Sequence, residues 1–406
     1  MVDSIESLCE SRALEVYGLD PSEWGVTVQP YSGSPANFEV FNAVCECGDV
    51  IMGMDLPSGG HLTHGFQRTL KNGTIKPVSA TSKYFTSKSY SVSASDGLID
   101  YPQVLSLALK EKPRVIIAGP GSAYPRDVDY SVFRSACDSV GSLLMVDMAH
   151  VSGLVAGKHK GTSDPFLYAD IVTSTTHKTL RGPRGGMIFA RRELIDKIKQ
   201  SVFPGMQGGP HNNNIAALAV AFSEASTPSF KEYISDVVEN CRILCRIMTS
   251  KGFVLQTGGS DNHMLLWDVR DYPGGGDALQ NLLEEVGITV NKNSIVGDTS
   301  ALKPGGVRIG LAAITTRGIS GTENMEKVAS FLERAVHIAE AGTGNETGTE
   351  TGTETGTETG NETGTETGTE TEGDANSNDA AGRAKRTREL KEDVTTFVSR
   401  FPLPGE

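Results

Sequence analysis

Two hydrophobic patterns alternate over the first 225 residues. Four short, nearly unbroken apolar runs read as buried strands: Pro113-Arg-Val-Ile-Ile-Ala-Gly119, Ser142-Leu-Leu-Met-Val-Asp147, Asp170-Ile-Val-Thr-Ser174 and Gly186-Met-Ile-Phe-Ala190. Between the first two, Val128 to Val140 sets Val132, Phe133, Ala136, Cys137 and Val140 on one helical face. Repeated strand–helix–strand units predict an α/β fold with a mainly parallel sheet and helices on both faces. Ligands of such sheets bind beyond the carboxyl ends of the strands, so the residues that end these strands come first as candidates. The pattern changes from about residue 240. There, 263–270 and 306–310 read as strands, and 277–286 and 324–341 as helices. This predicts a large domain over 1–235 and a smaller C-terminal α/β domain over 236–342 and 373–406. Residues 343–372 repeat Thr-Glu-Thr-Gly without one apolar side chain. Such a segment cannot offset its own ordering entropy, and a disordered insert is expected.

Composition narrows the function classes. The net charge of −13 over 406 residues argues against nucleic acid or an anionic membrane as an electrostatic partner. No segment is apolar and long enough to span a bilayer. The acidic start, Met1-Val-Asp-Ser-Ile-Glu-Ser7, does not look like a signal peptide, so a cytoplasmic protein is expected. Six cysteines in a chain of this length are not a disulfide framework. Cys45/Cys47 and Cys241/Cys245 lack partners at zinc spacing, and buried structural thiols with no metal are expected.

Candidate chemistry gathers at the strand ends. Lys178 follows a buried strand, among hydroxyls, a histidine and then glycines. Taken alone it reads rather as a solvated loop lysine, and its context carries the other reading. Nearby cations, Arg181 and Arg184, would lower its pKa and suit a Schiff base. Asp147 ends another strand, with His150 three residues on. A buried aspartate keeps a pyridine nitrogen protonated, as an electron sink requires, although Asp147 could instead cap the next helix. Ser32, Gly33 and Ser34 precede a helix-like apolar run and would offer hydroxyls and backbone N–H groups to a phosphate, or act as an ordinary N-cap. His61 and His64, spaced three apart between glycines, have no carboxylate or cysteine beside them in sequence. An imidazole stacked on a ring fits them better than a metal. Arg308, on a predicted strand, could grip a substrate carboxylate or make a surface ion pair.

The segments Gln29-Pro-Tyr-Ser-Gly-Ser-Pro-Ala-Asn37, Asp55-Leu-Pro-Ser-Gly-Gly-His-Leu-Thr-His-Gly65, Val146-Asp-Met-Ala-His-Val-Ser-Gly-Leu154, Thr175-Thr-His-Lys-Thr-Leu-Arg181 and Phe203-Pro-Gly-Met-Gln-Gly-Gly-Pro-His211 resemble the serine hydroxymethyltransferase family, in family order. The resemblance runs from about residue 5 to 340 and resumes at Phe401-Pro-Leu-Pro-Gly405. It implies a fold-type I pyridoxal-phosphate enzyme with a mainly parallel seven-stranded large domain. It also implies reversible transfer of the serine hydroxymethyl carbon to tetrahydrofolate, leaving glycine, in a homodimer or a tetramer of dimers.

Roles follow where residues match. Lys178 resembles the lysine that holds pyridoxal 5'-phosphate, Asp147 the partner of its ring nitrogen and His61 the stacked imidazole. Ser32, Gly33, Ser34 and His177 resemble the phosphate cradle. Ser122 and His150 resemble groups near the ring hydroxyl and substrate, and Thr175 and Arg184 supports of the reactive lysine. Arg308 resembles the carboxylate clamp. Leu56, Gly60, Leu62 and Asn293 resemble parts of the folate pocket. Gly208 and Gly209 resemble a loop that reaches the neighbouring subunit's phosphate.

Three departures qualify the resemblance. The chain starts where relatives carry an N-terminal arm with a general acid/base glutamate. Gly310-Leu-Ala-Ala-Ile-Thr315 stands where the family has Gly-Thr-Pro-Ala. The acidic repeat interrupts the small domain. Two readings stay open: a working transferase, or a catalytically impaired cofactor-binding homologue that partners a full-length enzyme.

Overall fold

The computed structural model describes residues 1–70, 72–298, 303–341 and 373–403. The Thr-Glu-Thr-Gly repeat lies outside them. Twelve strands are present among the described residues: β1 (Trp24–Thr27), β2 (Val50–Met54), β3 (Gln67–Thr69), β4 (Ile75–Pro77), β5 (Thr86–Tyr90), β6 (Val115–Ala118), β7 (Leu143–Asp147), β8 (Ile171–Thr175), β9 (Gly186–Arg191), β10 (Met264–Asp268), β11 (Asn291–Asn293) and β12 (Gly306–Gly310). Seven form one sheet in the order β1-β9-β8-β7-β6-β2-β5. Strands β5, β2, β6, β7 and β8 are mutually parallel, and β9 runs against both β8 and β1. The mainly parallel seven-stranded sheet is therefore as expected, with one reversed strand beside an edge.

The apolar runs form strands because both faces of the sheet are covered. Along β6, Val115 and Ile117 enter one core, while Ile116 and Ala118 enter the other. The first core packs against the helices Gly33–Val44 and Arg192–Gln200 through Val40, Phe41, Ile195 and Ile198. The second packs against Tyr101–Glu111, Tyr130–Val140 and Asn212–Ala225 through Val104, Phe133 and Phe222. Each such fully buried side chain contributes roughly 1.5–3 kcal/mol relative to exposure, so the ends of β6, β7 and β8 are rigid mounts. The helix predicted over 128–140 begins at Tyr130, where the Asp129 carboxylate accepts from Ser131 N.

A second sheet, β10-β12-β11, is antiparallel. Its core contains Trp267, Leu282, Phe331, Leu390 and Phe397. The helix Pro228–Ser250 joins the two regions. Phe230, Ile234 and Val237 belong to the large core, and Cys241, Leu244 and Met248 to the small one. The predicted break at 235 thus falls inside one continuous helix. Amphipathicity cannot reveal such a break, because the helix keeps a buried stripe throughout. Cys45, Cys241 and Cys245 are buried as expected, but Cys47 is exposed, in the turn two residues past the C-cap Cys45 of its helix. Among the described residues, no helix is long and apolar enough to cross a membrane.

Candidate active site

The carboxyl ends of β2, β6, β7 and β8 converge. Asp147, the last residue of β7, pairs in register with Thr173 on β8, five residues before Lys178. One Asp147 oxygen accepts from Asn37 Nδ2 at 2.9 Å and lies 3.0 Å from His64 Nε2, and the other accepts from Ala149 N at 3.1 Å. Asn37 is itself fixed, since Thr173 Oγ1 donates to its Oδ1 at 2.7 Å. The next helix, Ser152–Ala156, has Val151 at its N-cap, so Asp147 does not cap it. Burial alone would raise the Asp147 carboxyl. The His64 bond and the Asn37 amide outweigh that and hold it well below the carboxylate range. The molecule thus keeps an ionised acid in a buried place.

His61 and His64 bracket the short turn Leu62–His64. His61 Nδ1 lies 2.7 Å from Thr63 Oγ1, and burial first of all depresses its pKa to about 4, which leaves the ring neutral. No carboxylate accompanies this pair in sequence, yet the fold supplies one: donor atoms of His61, His64 and Asp147 lie within 4.8 Å of one another. Strand order makes that meeting: β6 stands between β2, whose following loop carries the histidines, and β7, which ends in Asp147.

Lys178 lines an open cleft of about 660 Å³ with His150, His177, Arg181, His263 and Arg308. Burial lowers the Lys178 pKa, Arg308 and Arg184 lower it further, and Asp147 opposes them. Arg308 sits on β12 opposite Leu266, and its guanidinium donates to the carbonyl of Ser122. Ser122 Oγ donates to the Gly60 carbonyl at 3.2 Å. His150 and His263 stack with centroids 5.7 Å apart and planes at 22°. Burial makes both weak bases, His263 down to about 3. Ala312 and Ala313 also line the cleft, in the segment where Gly-Thr-Pro-Ala was absent.

The helix Gly33–Val44 presents its N-terminus near the same strand ends. Ser32 is its N-cap, but the Ser32 hydroxyl makes no capping bond, so the first N–H groups lack a side-chain partner there. This disfavours the ordinary N-cap and leaves a ready anion cradle. A methyl on Gly33 would stand 2.7 Å from Thr175 Cγ2, which explains glycine at that point. Thr175 Oγ1 donates to the Ala149 carbonyl at 3.4 Å. Ser34 is exposed.

Other candidates stand further out. Arg184 is exposed and lies 3.3 Å from His177 Nε2. Leu56 and His61 line a second cavity of about 170 Å³ with Phe66 and Pro57, while Leu62 is exposed. Asn293 lies on β11 and donates to the Ser294 carbonyl. Gly208 and Gly209 have open space around them, and Tyr31 donates to the Gly209 carbonyl at 2.8 Å. The sequence singles out neither Asn37 nor His263, and it marks His64 only as one of a histidine pair suited to stacking on a ring, not as the partner of Asp147. Only the i+3 position of His64 hinted at a role. Asn37 and His263 carried no local signal.

Taken together, these residues fit pyridoxal phosphate. They supply a buried ionised carboxylate for a pyridinium, an uncapped helix N-terminus for a phosphate and a half-buried lysine of lowered pKa. The profile of the serine hydroxymethyltransferase family matches residues 1–332. The whole chain is similar to serine hydroxymethyltransferase 3, chloroplastic, of Arabidopsis thaliana, at 45% identity over 72% of that protein. It is 44% identical to the mitochondrial serine hydroxymethyltransferase of Kluyveromyces lactis, over all of this chain and 79% of the relative. It is also 44% identical to the cytosolic serine hydroxymethyltransferase of Neurospora crassa, over all of this chain and 82% of the relative.

Proposed function

The chain belongs to the serine hydroxymethyltransferase family, and from that premise we propose that the strand-end cleft is where it carries out the family reaction. It is a pyridoxal-phosphate-dependent transferase of serine and glycine, with tetrahydrofolate as the one-carbon co-substrate. The observation that carries the site assignment is Asp147, a buried carboxylate bonded by His64, Asn37 and Ala149 N and one strand away from Lys178.

Lys178 holds the cofactor, since its depressed pKa leaves more of the amine neutral and nucleophilic. Asp147, steadied by His64 and Asn37, keeps the ring nitrogen protonated. When bound, the cofactor supplies the electron sink for bond breaking at the substrate α-carbon. His61 covers the ring with a neutral face. Ser32, Gly33, Ser34 and His177 take the phosphate, and Thr175 and Arg184 support the lysine. Arg308 grips the amino-acid carboxylate, and Ser122 and the uncharged His150 lie beside it. Leu56, Gly60, Leu62 and Asn293 form the folate side. Gly208 and Gly209 serve the phosphate site of a second copy, in a dimer or a tetramer of dimers. Residues 1–235 carry the cofactor, and the remainder brings Arg308. We place the protein in the cytoplasm, as for the Neurospora relative; other relatives are named mitochondrial or chloroplastic.

The test is direct. The purified chain incubated with pyridoxal phosphate should develop the visible absorbance of lysine-bound cofactor and cleave serine in the presence of tetrahydrofolate. Lys178→Ala should lose both. Retention of the absorbance in Lys178→Ala would remove that lysine from its role.

A further inference from the structure

We propose that Arg126 is a positioning residue for the amino-acid substrate: it clasps residues 257–262 to residues 120–127 and so sets where His263 and Arg308 stand relative to Lys178. The proposal rests on the reading that this cleft holds the amino acid. Arg126 Nη1 donates to Asp261 Oδ1 at 2.9 Å, and Nε donates to Thr257 Oγ1 at 3.0 Å. The remaining nitrogen, Nη2, donates to the Thr257 carbonyl. Every nitrogen of the guanidinium is thus engaged by one short loop of the smaller α/β region. The two backbones are sewn together beside it. Asp261 N donates to the Pro125 carbonyl at 2.9 Å, and Asn262 Nδ2 donates to the Tyr124 carbonyl at 3.1 Å.

The loop is shaped for this contact. Thr257 has φ of 62°, a left-handed conformation that a β-branched residue rarely adopts. Such a residue persists only where its surroundings over-determine it. Here Arg126 binds both its hydroxyl and its carbonyl, and the hydroxyl donates onward to the Gly259 carbonyl at 3.0 Å.

Both ends of the clasp lead into the cleft. On one side the chain runs from Asp261 to His263, which stacks on His150, and then into β10. There Leu266 pairs with Arg308. On the other side, four residues before Arg126, the Ser122 carbonyl accepts from Arg308. Arg126 touches neither Lys178 nor a substrate position in any of these contacts. It acts through the loop and strand it fixes, so its loss should loosen the grip on the amino acid more than it slows the chemistry.

The experiment uses the full chain loaded with pyridoxal phosphate. In Arg126→Gln the cofactor absorbance should persist. The glycine concentration that half-saturates the cofactor's spectral change, and KM for serine, should both rise about tenfold or more, since small misplacements at a site are expensive. The turnover at saturating serine should change less than about threefold. Arg126→Lys keeps the charge without the fork and should recover only part of the affinity. Thr257→Gly suits the left-handed position and removes one acceptor, so it should fold and shift glycine binding in the same direction. Unchanged half-saturation in both Arg126→Gln and Thr257→Gly would overturn the proposal. So would a loss of activity matched by a loss of folded protein at unaltered glycine affinity. Absence of cofactor absorbance in the unsubstituted chain would instead overturn the cofactor reading on which the proposal rests.

Discussion

Asp147 shows how one residue's chemistry depends on its neighbours. Burial opposes its charge, and His64 with Asn37 restores it. Removing the imidazole should therefore raise the Asp147 pKa. In His64→Ala the carboxylate would take up its proton at a higher pH, so the acid limb of the kcat/KM profile for serine should move upward. The profile measured from pH 4 to 8 would show this, and an unmoved acid limb would mean that Asn37 and Ala149 suffice. His61 behaves oppositely, because burial keeps it uncharged across the working range. A neutral ring suits stacking on a cationic pyridinium, where an imidazolium would repel it.

The helix Gly33–Val44 joins the anion cradle to the interior of the protein. Its fourth residue past Pro35 is Glu39, which is fully buried, with neither carboxylate oxygen hydrogen-bonded among the described residues. Burial pushes its pKa up to about 7 from 4.5. The folded state then holds a proton that the unfolded state has released between these values, so stability falls as pH rises from about 4.5 to 7 and levels off above. A shift of that size corresponds to roughly 3 kcal/mol. Glu39→Gln should remove this slope and be more stable than the parent at pH 8. Thermal melts of both proteins across pH 4.5–8 would check it, and parallel curves would refute it.

At the scale of the whole molecule, two large apolar side chains stand exposed just before Gly208 and Gly209 in the chain. Phe203 is 53% exposed and Met206 40%. Exposed apolar side chains that cluster mark protein interfaces. The chain should sediment as a dimer or larger. If Gly208 and Gly209 serve a second copy as proposed, Phe203→Glu should shift it toward monomer and weaken cofactor retention. Sedimentation combined with the cofactor absorbance would decide this. A monomeric parent that retains its cofactor would count against a shared site.

The amino-acid sequence alone was enough to place β6, β7, β8 and β9, because strands buried on both faces read as continuous apolar runs. Lys178 and Asp147 were legible for the same reason, since each stands at or just past the end of such a run, and the Ser32–Ser34 turn was legible because it opens an apolar helical run. The family motifs around them were legible too, since they are contiguous. Tertiary structure decided what is not contiguous. It placed His64 and Asn37 on Asp147, stacked His263 on His150, and left the Ser32 hydroxyl without a cap. It also carried one helix unbroken across the expected boundary at 235 and engaged Arg126 with Thr257 and Asp261. A charge or hydrogen bond acts over a few ångströms of space. The residues that meet across those ångströms are 83, 110 or 135 positions apart in the chain.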